Sequence, residues 1–324
     1  MNWAENKNRI QAVGIIGAGY AAGVHAAALK KIDDTIEQFV YDINTVNAER
    51  ISAEHGCKVS VTLDELFDSV DAVIIASPVW THHKLVLNAV QRGKHILCEK
   101  PMSESSLEAK EMYSLSENEN LVCAIGFNYR FFDITDCLRR EIEDERIREI
   151  NISIRRLFRS DWKRDEIGVL SDLGIHLIDL LTCLSKSRIS LDTCSIRSQY
   201  INTCDYDTKV NGYLENNTAF TLEAARIDNA DDVCFCLEVI CEKRTIQYDS
   251  RQRDCYKVMD REGLHLKKIE KKTETEDFFD FSDSIFRQDE NWIKSISGEA
   301  TPESASFRDG WQAQIVLESL LQKN

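Results

Sequence analysis

Gln11-Ala12-Val13-Gly14-Ile15-Ile16-Gly17-Ala18-Gly19-Tyr20-Ala21-Ala22-Gly23 is the stretch on which the reading of the fold turns. Gln11 to Ile16 reads as a short apolar strand, and the alanine-rich segment from Ala21 to Lys31 has the propensity of a helix. Strand, G-x-G-x-x-A turn and helix in that order form the context a dinucleotide-binding turn requires. Gly17 permits the tight turn, Gly19 lets backbone approach a pyrophosphate, and Ala22 keeps the helix close to the sheet. The helix start offers unpaired N–H groups to phosphate oxygens. Taken alone, the motif fits a plain βα turn equally well. The next element, Gln38 to Tyr41, reads as a second strand ending in Asp42, about twenty residues past the glycines. An acidic residue there accepts hydrogen bonds from a ribose diol and repels a 2′-phosphate, which favours NAD over NADP; a loop-capping aspartate is the alternative.

Strand and helix signals then alternate. Asn47 to His55 reads as a helix stopped by Gly56, Lys58 to Val61 as a short strand, and Thr62-Leu63-Asp64-Glu65 as a capping box opening another helix. Asp71 to Ala76 is an apolar run of the kind buried on both faces of a parallel sheet. It leads into Ser77-Pro78-Val79-Trp80-Thr81-His82-His83 and a helix to Arg92, with Gly93 as its stop. His95 to Cys98 is a further buried strand, running directly into Glu99-Lys100-Pro101. Ligands of open parallel sheets bind beyond the carboxyl ends of strands, where Glu99 and Lys100 stand; taken in isolation, Glu-Lys-Pro reads rather as a surface ion pair at a strand exit. A capping pattern at Ser105–Glu108 and a sixth strand, Leu121 to Ile125, complete the series. Six strands alternating with helices predict a doubly wound parallel sheet over residues 1–125.

The remainder, 126–324, has a different texture. An amphipathic helix is expected from about Asp133 to Glu143, followed by strands at Ile150–Phe158, Leu191–Tyr200, Ala219–Arg226, Val233–Cys241 and Cys255–Met259. Most are joined by polar turns, so a large, mostly antiparallel open sheet is expected. One helix interrupts it near Asp172 to Leu184, and two close the chain, Asp283 to Ser297 and Ser306 to Gln322. The closing helices are candidates to pack back on the first domain.

Composition narrows the function classes. A chain of 324 residues with 43% hydrophobic and 29% charged residues has room for two globular domains. The formal net charge of −15 argues against nucleic acid or an anionic membrane as partner. The polar start Met1-Asn2-Trp3-Ala4-Glu5 carries no secretory pattern, no apolar run is long enough for a membrane helix, and eleven cysteines follow no repeating spacing. These point to a cytoplasmic protein with free thiols. Cys234, Cys236 and Cys241 lack a second ligand pair, so core thiols are expected there and no metal site.

Ser171-Asp172-Leu173-Gly174-Ile175-His176-Leu177-Ile178-Asp179 is the informative stretch of the second half. Four residues apart on a helix, Asp172 and His176 share a face, and Asp179 follows a turn later. Histidine is the usual acid or base near neutral pH, and a nearby carboxylate orients it. A helix whose histidine and aspartates only bridge and cap is the competing reading. Gly174 would let a ligand or another backbone approach. Arg155, Arg156, Arg159, Lys163 and Arg164 invert the local charge of an acidic chain, which suits either an anionic substrate or a solvated strand edge.

In this order and separation, the motifs resemble the Gfo/Idh/MocA oxidoreductase family. The matching pieces are Gly17 to Ala22, Ala76-Ser77-Pro78-Val79-Trp80-Thr81-His82, Gly93-Lys94-His95 with Cys98-Glu99-Lys100-Pro101, Asn128-Tyr129-Arg130, Asp172 to His176, and the C-terminal segment around Gly298, Pro302, Asp309-Gly310 and Val316-Leu317-Glu318. The resemblance implies a Rossmann domain, a C-terminal α/β domain whose open sheet forms a homodimer or homotetramer interface, and hydride transfer between NAD(P) and a hydroxyl or keto carbon of a sugar, cyclitol or sugar derivative. It implies that Lys100, His176 and Asp172 are catalytic. It implies cofactor contacts from Gly17, Gly19, Tyr20, Ala21, Ala22, Asp42, Ala76, Ser77, Pro78, His82, Glu99 and Lys100. Substrate contacts would come from Lys100, Arg130, Trp162, Asp172 and His176, and the Lys100–Pro101 bond would be cis. Ser77 and Val79 replace the family's commoner Thr and Asn, and Gly168 alone stands where two or three glycines usually precede the Asp-x-Gly-x-His segment. A non-catalytic dinucleotide sensor and an NAD-dependent lyase, hydrolase or epimerase with transient oxidation are the alternatives on the same fold.

Overall fold

The computed structural model describes residues 10–117, 121–158, 167–252, 254–270, 281–301 and 303–323. They divide into two units, Met1–Asn128 with Phe281–Gln314, and Tyr129–Asp280 with Ile315–Asn324.

The first unit holds six parallel strands, β1 (Ala12–Ile16), β2 (Glu37–Tyr41), β3 (Lys58–Val59), β4 (Ala72–Ile75), β5 (His95–Cys98) and β6 (Cys123–Ile125). Their order is β3-β2-β1-β4-β5-β6. Every residue of β1 and β4 is buried, which is why both are unbroken apolar runs rather than alternating ones. The chain builds outward from β1 to β3, then returns to lay β4 on the other side of β1. Strand order reverses there, which makes the carboxyl ends of β1 and β4 the place where an open sheet binds ligands.

Helices α1 (Tyr20–Ile32), α2 (Thr45–His55), α3 (Leu63–Ser69), α4 (Val79–Gln91) and α5 (Ser106–Glu117) connect these strands. Their ends follow local chemistry. Thr62 Oγ1 accepts from the Glu65 N–H at 3.1 Å, Asn44 Oδ1 from Val46 N–H at 3.2 Å and Ser105 Oγ from Glu108 N–H at 3.3 Å. Gly56 at φ 83° and Gly93 at φ 65° follow α2 and α4 in the left-handed region that glycine tolerates.

Two helices late in the chain complete the unit, α8 (Phe281–Ile296) and α9 (Phe307–Lys323), the latter up to Gln314. Trp292 and Ile296 of α8 lie in the same core cluster as Val13, Ile15, Ala22, Leu29 and Val40. The first unit thus runs to Asn128 and takes in 281–314, the two closing helices among them up to Gln314. The reason is physical, since an aromatic as large as Trp292 leaves water only where a core is open to receive it.

The second unit is a mixed eight-stranded sheet in the order β14-β13-β12-β11-β7-β10-β9-β8. Its strands are β7 (Ile147–Leu157), β8 (Ser195–Ile201), β9 (Cys204–Tyr213), β10 (Ala219–Ile227), β11 (Cys234–Cys241), β12 (Thr245–Asp249), β13 (Cys255–Asp260) and β14 (Gly263–Lys268). Only β7 and β10 pair in parallel; the other pairs are antiparallel. One face is apolar, with Ile150, Ile152 and Ile154 of β7 opposite Val239, Leu237 and Phe235 of β11. Helices α6 (Asp133–Ile142) and α7 (Ile175–Ser185) complete this unit. Cys234 and Cys236 take the opposite face from Phe235 and Leu237, so Cys236 lies with Asn151 and Ser153 on the polar side rather than in the core.

Three strands, β9, β12 and β14, go beyond the sequence expectation, and Leu191–Thr193 forms a 3₁₀ turn rather than the start of β8. β9 (Cys-Asp-Tyr-Asp-Thr-Lys-Val-Asn-Gly-Tyr) is polar, and it is a strand because β8 and β10 pair with it on both edges. All eleven cysteines lie among the described residues and are free. Among the described residues no helix is long and apolar enough to cross a membrane.

Candidate functional site

The carboxyl ends of β1, β2, β4 and β5 bring the first set of expected residues together. Gly17 sits at φ 96°, and a Cβ there would lie 2.7 Å from the backbone of Ser77, so only glycine permits the β1 turn to pack against the β4 exit. Gly17 N–H donates to the Tyr41 carbonyl (2.8 Å), and Ala18 N–H to Asp42 Oδ2 (2.7 Å). Asp42 Oδ1 accepts from Asn44 N–H at 2.8 Å. Asp42 thus ties the end of β2 to the glycine turn, and Arg50 of α2 donates to the Ala18 carbonyl at 2.9 Å.

Gly19 is different, because a Cβ there would meet nothing within 4 Å. It is also the N-cap of α1 and offers no side-chain cap to the first-turn N–H groups of Tyr20 and Ala21. Ala22 is fully buried against the sheet, whereas Tyr20 is exposed. Backbone open to approach at Gly19, a helix start whose N-cap has no side chain and a carboxylate at the end of β2 fit a dinucleotide.

At the β4 exit, Ala76, Ser77 and Pro78 lead into α4, and Ser77 Oγ pairs with Thr81 Oγ1 at 2.6 Å. His82 was expected to face the cofactor. It is buried instead, with Nε2 2.8 Å from the Ser77 carbonyl and Nδ1 3.0 Å from the Pro101 carbonyl. Burial pushes its pKa down, opposed by those carbonyls. His82 therefore braces the Ser77 loop against the Lys100–Pro101 loop. The peptide bond between Lys100 and Pro101 is cis.

Glu99, expected as a cofactor contact, is held from two sides. One carboxylate oxygen lies 3.2 Å from His25 Nε2, and the other accepts from the Lys100 N–H at 3.2 Å. Gly126 N–H donates to the Cys98 carbonyl, and a Cβ on Gly126 would lie 2.9 Å from Glu99 Oε1. The glycine is needed because the Glu99 carboxylate occupies the space beside it.

In the second unit, Asp172 lies in a π-helical turn, Leu170–Gly174, that continues into α7. A regular α-helix from Asp172 was expected. The wider turn shifts Asp172 relative to His176, and such turns recur at functional sites. The turn is anchored by Asp205 of β9, which accepts from Leu170 N–H at 2.8 Å and Thr208 Oγ1 at 2.9 Å. A Cβ on Gly168 would fall 1.8 Å from Asp205 Oδ1. Gly174 makes room for the Leu170 side chain, 2.7 Å from where its Cβ would be, rather than for a ligand.

His176 is buried, and its ring stacks on Tyr129 with centroids 4.2 Å apart and planes within 4°. Asp172 is paired with Arg226 of β10. In the parallel register Arg226 stands beside Arg156 of β7, past Ala224 and Ile154 on the apolar face. Burial pushes the Tyr129 phenol up; Asp172 adds to this, and Arg156 and Arg226 oppose it. Two guanidiniums, one carboxylate, one imidazole and one phenol thus form a single cluster. Tyr129 and Arg226 gain this role only in the structure, whereas Arg156 belongs to the basic run already singled out in the sequence; the clue to Arg226 was a basic residue at the carboxyl end of its strand.

Arg130, expected to touch substrate, is instead clamped by Asp179, with Nε 2.8 Å from Oδ2 and Nη2 2.6 Å from Oδ1, both groups buried. Trp162, Arg159, Lys163, Arg164 and Pro302 lie outside the described residues. Among the described residues no cluster of three potential metal-ligating side chains occurs.

Comparison with known proteins agrees with this architecture. Residues 11–127 match the family model described as an oxidoreductase family with an NAD-binding Rossmann fold. The chain is 31% identical to glucose-6-phosphate 3-dehydrogenase of Bacillus subtilis, covering 96% of each chain. It is 31% identical to inositol 2-dehydrogenase of Rhizobium meliloti over 52% of each. The solved structure of UDP-N-acetylglucosamine 3-dehydrogenase from Acidithiobacillus ferrooxidans has the same fold, with a TM-score of 0.83, 22% identity and coverage of 97% of this chain and 96% of that one. With full-length likeness to one dehydrogenase, a matching dinucleotide-domain model and this two-sheet fold, the chain belongs to the Gfo/Idh/MocA oxidoreductases.

Proposed function

We propose that the protein is an NAD-dependent dehydrogenase that oxidises a ring hydroxyl of a phosphorylated sugar, with Lys100 and His176 assisting proton transfer. The observation that carries this reading is the pairing of Arg156 with Arg226 beside Asp172 and the His176–Tyr129 stack, in a chain 31% identical over 96% of its length to a dehydrogenase of a sugar phosphate. Guanidiniums present fixed forks of donors that match phosphate oxygens.

Gly19, the start of α1, Asp42, Ser77 and Lys100 would hold the dinucleotide. When bound, its nicotinamide supplies the hydride acceptor. His176 takes the hydroxyl proton as the carbon–oxygen bond becomes a carbonyl, and its stack on Tyr129 fixes the plane of the ring. The Lys100 ammonium stabilises the negative charge developing on that oxygen, an effect worth about 3 kcal/mol in a dry, preorganised site. Asp172, held by Arg226, orients the substrate and His176. Asp42 at the β2 end supports NAD over NADP, through its repulsion of a 2′-phosphate.

A screen of sugars, cyclitols and their phosphates, read as NADH formation, tests the activity. The expected result is kcat/KM at least about a hundredfold higher for a sugar phosphate than for its neutral parent, given charge-assisted recognition. Equal activity on both would refute the phosphate reading. His176→Ala should bind NAD with ordinary affinity and Lys100→Ala somewhat less tightly, and each should lose turnover by about a hundredfold or more at saturating NAD; near wild-type rates would remove these residues from the mechanism.

We further infer a homodimer or homotetramer assembled through the polar face of the eight-stranded sheet, which carries Asn151, Thr221, Glu238 and Gln247. Sedimentation as a monomer at micromolar concentration would contradict this.

A further inference from the structure

His25 of α1 is fully buried, is ionisable and has no part in the mechanism above. Its Nδ1 lies 2.7 Å from Asp289 Oδ2 of α8 and its Nε2 lies 3.2 Å from Glu99 Oε1 at the end of β5. With both carboxylates ionised, each accepts from the ring, and the ring is an imidazolium; burial pushes the Asp289 carboxyl up, and the His25 charge beside it opposes that. Burial opposes that charge, but Asp289 and Glu99 outweigh it, and the pKa is pushed up to about 10. The second oxygen of Glu99 accepts from the backbone N–H of Lys100 at 3.2 Å. A chain of hydrogen bonds therefore runs from Asp289 through His25 and Glu99 to the Lys100 backbone.

Packing alone would not call for this arrangement. Trp292 and Ile296 of α8 fill the neighbouring core with apolar atoms, and burying three ionised groups costs free energy that apolar side chains would not. What the chain of bonds adds is restraint: Glu99 is fixed by His25 on one oxygen and by the adjoining backbone on the other, with Gly126 pressed against it.

We propose that His25 is a positioning residue for Lys100, acting through Glu99 and kept charged by Asp289. The proposal rests on the reading of Lys100 as a catalytic residue. His25→Gln and Glu99→Gln are compared in the wild-type and the Lys100→Met backgrounds, using NAD and the best substrate from the screen. Each should lower kcat about ten- to a hundredfold, the scale of a small misplacement of a reacting group. NAD affinity should stay within about threefold, and in Lys100→Met neither change should lower the residual rate further. Nitrogen NMR of labelled histidine should show one ring still doubly protonated at about pH 8.5, its signal absent in His25→Gln.

Unchanged kcat in Glu99→Gln, an undiminished extra loss in Lys100→Met, or every ring titrating near its ordinary pKa would overturn the proposal. Should His25→Gln fail to fold, Glu99→Gln decides, since it keeps the His25–Asp289 pair. A Lys100→Met protein with normal turnover would instead refute the catalytic reading on which this rests. An inactive Lys100→Met with a normal Glu99→Gln would refute the positioning role alone.

Discussion

Arg130 and Asp179 show how one residue's role is decided by its neighbour. Both side chains are buried and joined by two hydrogen bonds. Removing either partner leaves a buried charge uncompensated, at a cost of about 3–5 kcal/mol. Arg130→Ala should therefore lower the urea midpoint strongly, and Arg130→Ala with Asp179→Ala should recover part of the loss; a stability near wild type in the single variant would return Arg130 to the substrate-binding set. The positions of Gly17, Ala22 and Lys100 relative to the strands were legible in the sequence because spacing next to a strand constrains them. Arg226 and Tyr129 were not, because their neighbours His176, Asp172 and Arg156 are brought to them only by sheet register and by the π-helical turn. His82 and Glu99 were found by motif, but their hydrogen bonds to Ser77, Pro101 and His25 lie between segments that no local pattern connects.

Among the elements, the turn from Gly168 to Gly174 joins fold and chemistry most directly. Asp205 of β9 holds the N–H of Leu170, and a methyl on Gly168 would overlap the carboxylate that does so. Gly168→Ala should destabilise the protein by about 1–3 kcal/mol, the cost of a forced shift in a packed region. It should also lower kcat, because Asp172 and His176 follow on the same turn. A Gly168→Ala protein with unchanged melting and turnover would show that the Asp205 contact is dispensable. The strands β1, β4 and β5 were readable because burial on both faces leaves apolar runs between helix caps. β9, β12 and β14 were not, since their strand character comes from the strands beside them, and β14 is mostly exposed.

For the whole molecule, the consequential fact is that the first unit is assembled from both ends of the sequence, with α8 supplying Trp292 and Asp289. Trp292 is fully buried, and Trp292→Ala should cost about 3–5 kcal/mol, read as a lower melting temperature. The same junction sets a pH dependence. The folded pKa of His25, about 10, lies above its ordinary value of 6.5, so the stability it contributes is complete below 6.5 and is lost as pH rises through 10. The urea midpoint should therefore fall across that window more steeply in the wild type than in His25→Gln; parallel curves would contradict the charged state. Assembly from both ends also orders events during synthesis. When the ribosome has made Asn128, all six strands of the nucleotide-binding sheet have been translated, but the indole that fills its core and the aspartate that charges His25 have not. The nascent domain waits for some 150 further residues before it can close, so a message truncated within the second sheet would yield an open hydrophobic cleft suited to chaperones and proteases rather than to a nucleotide.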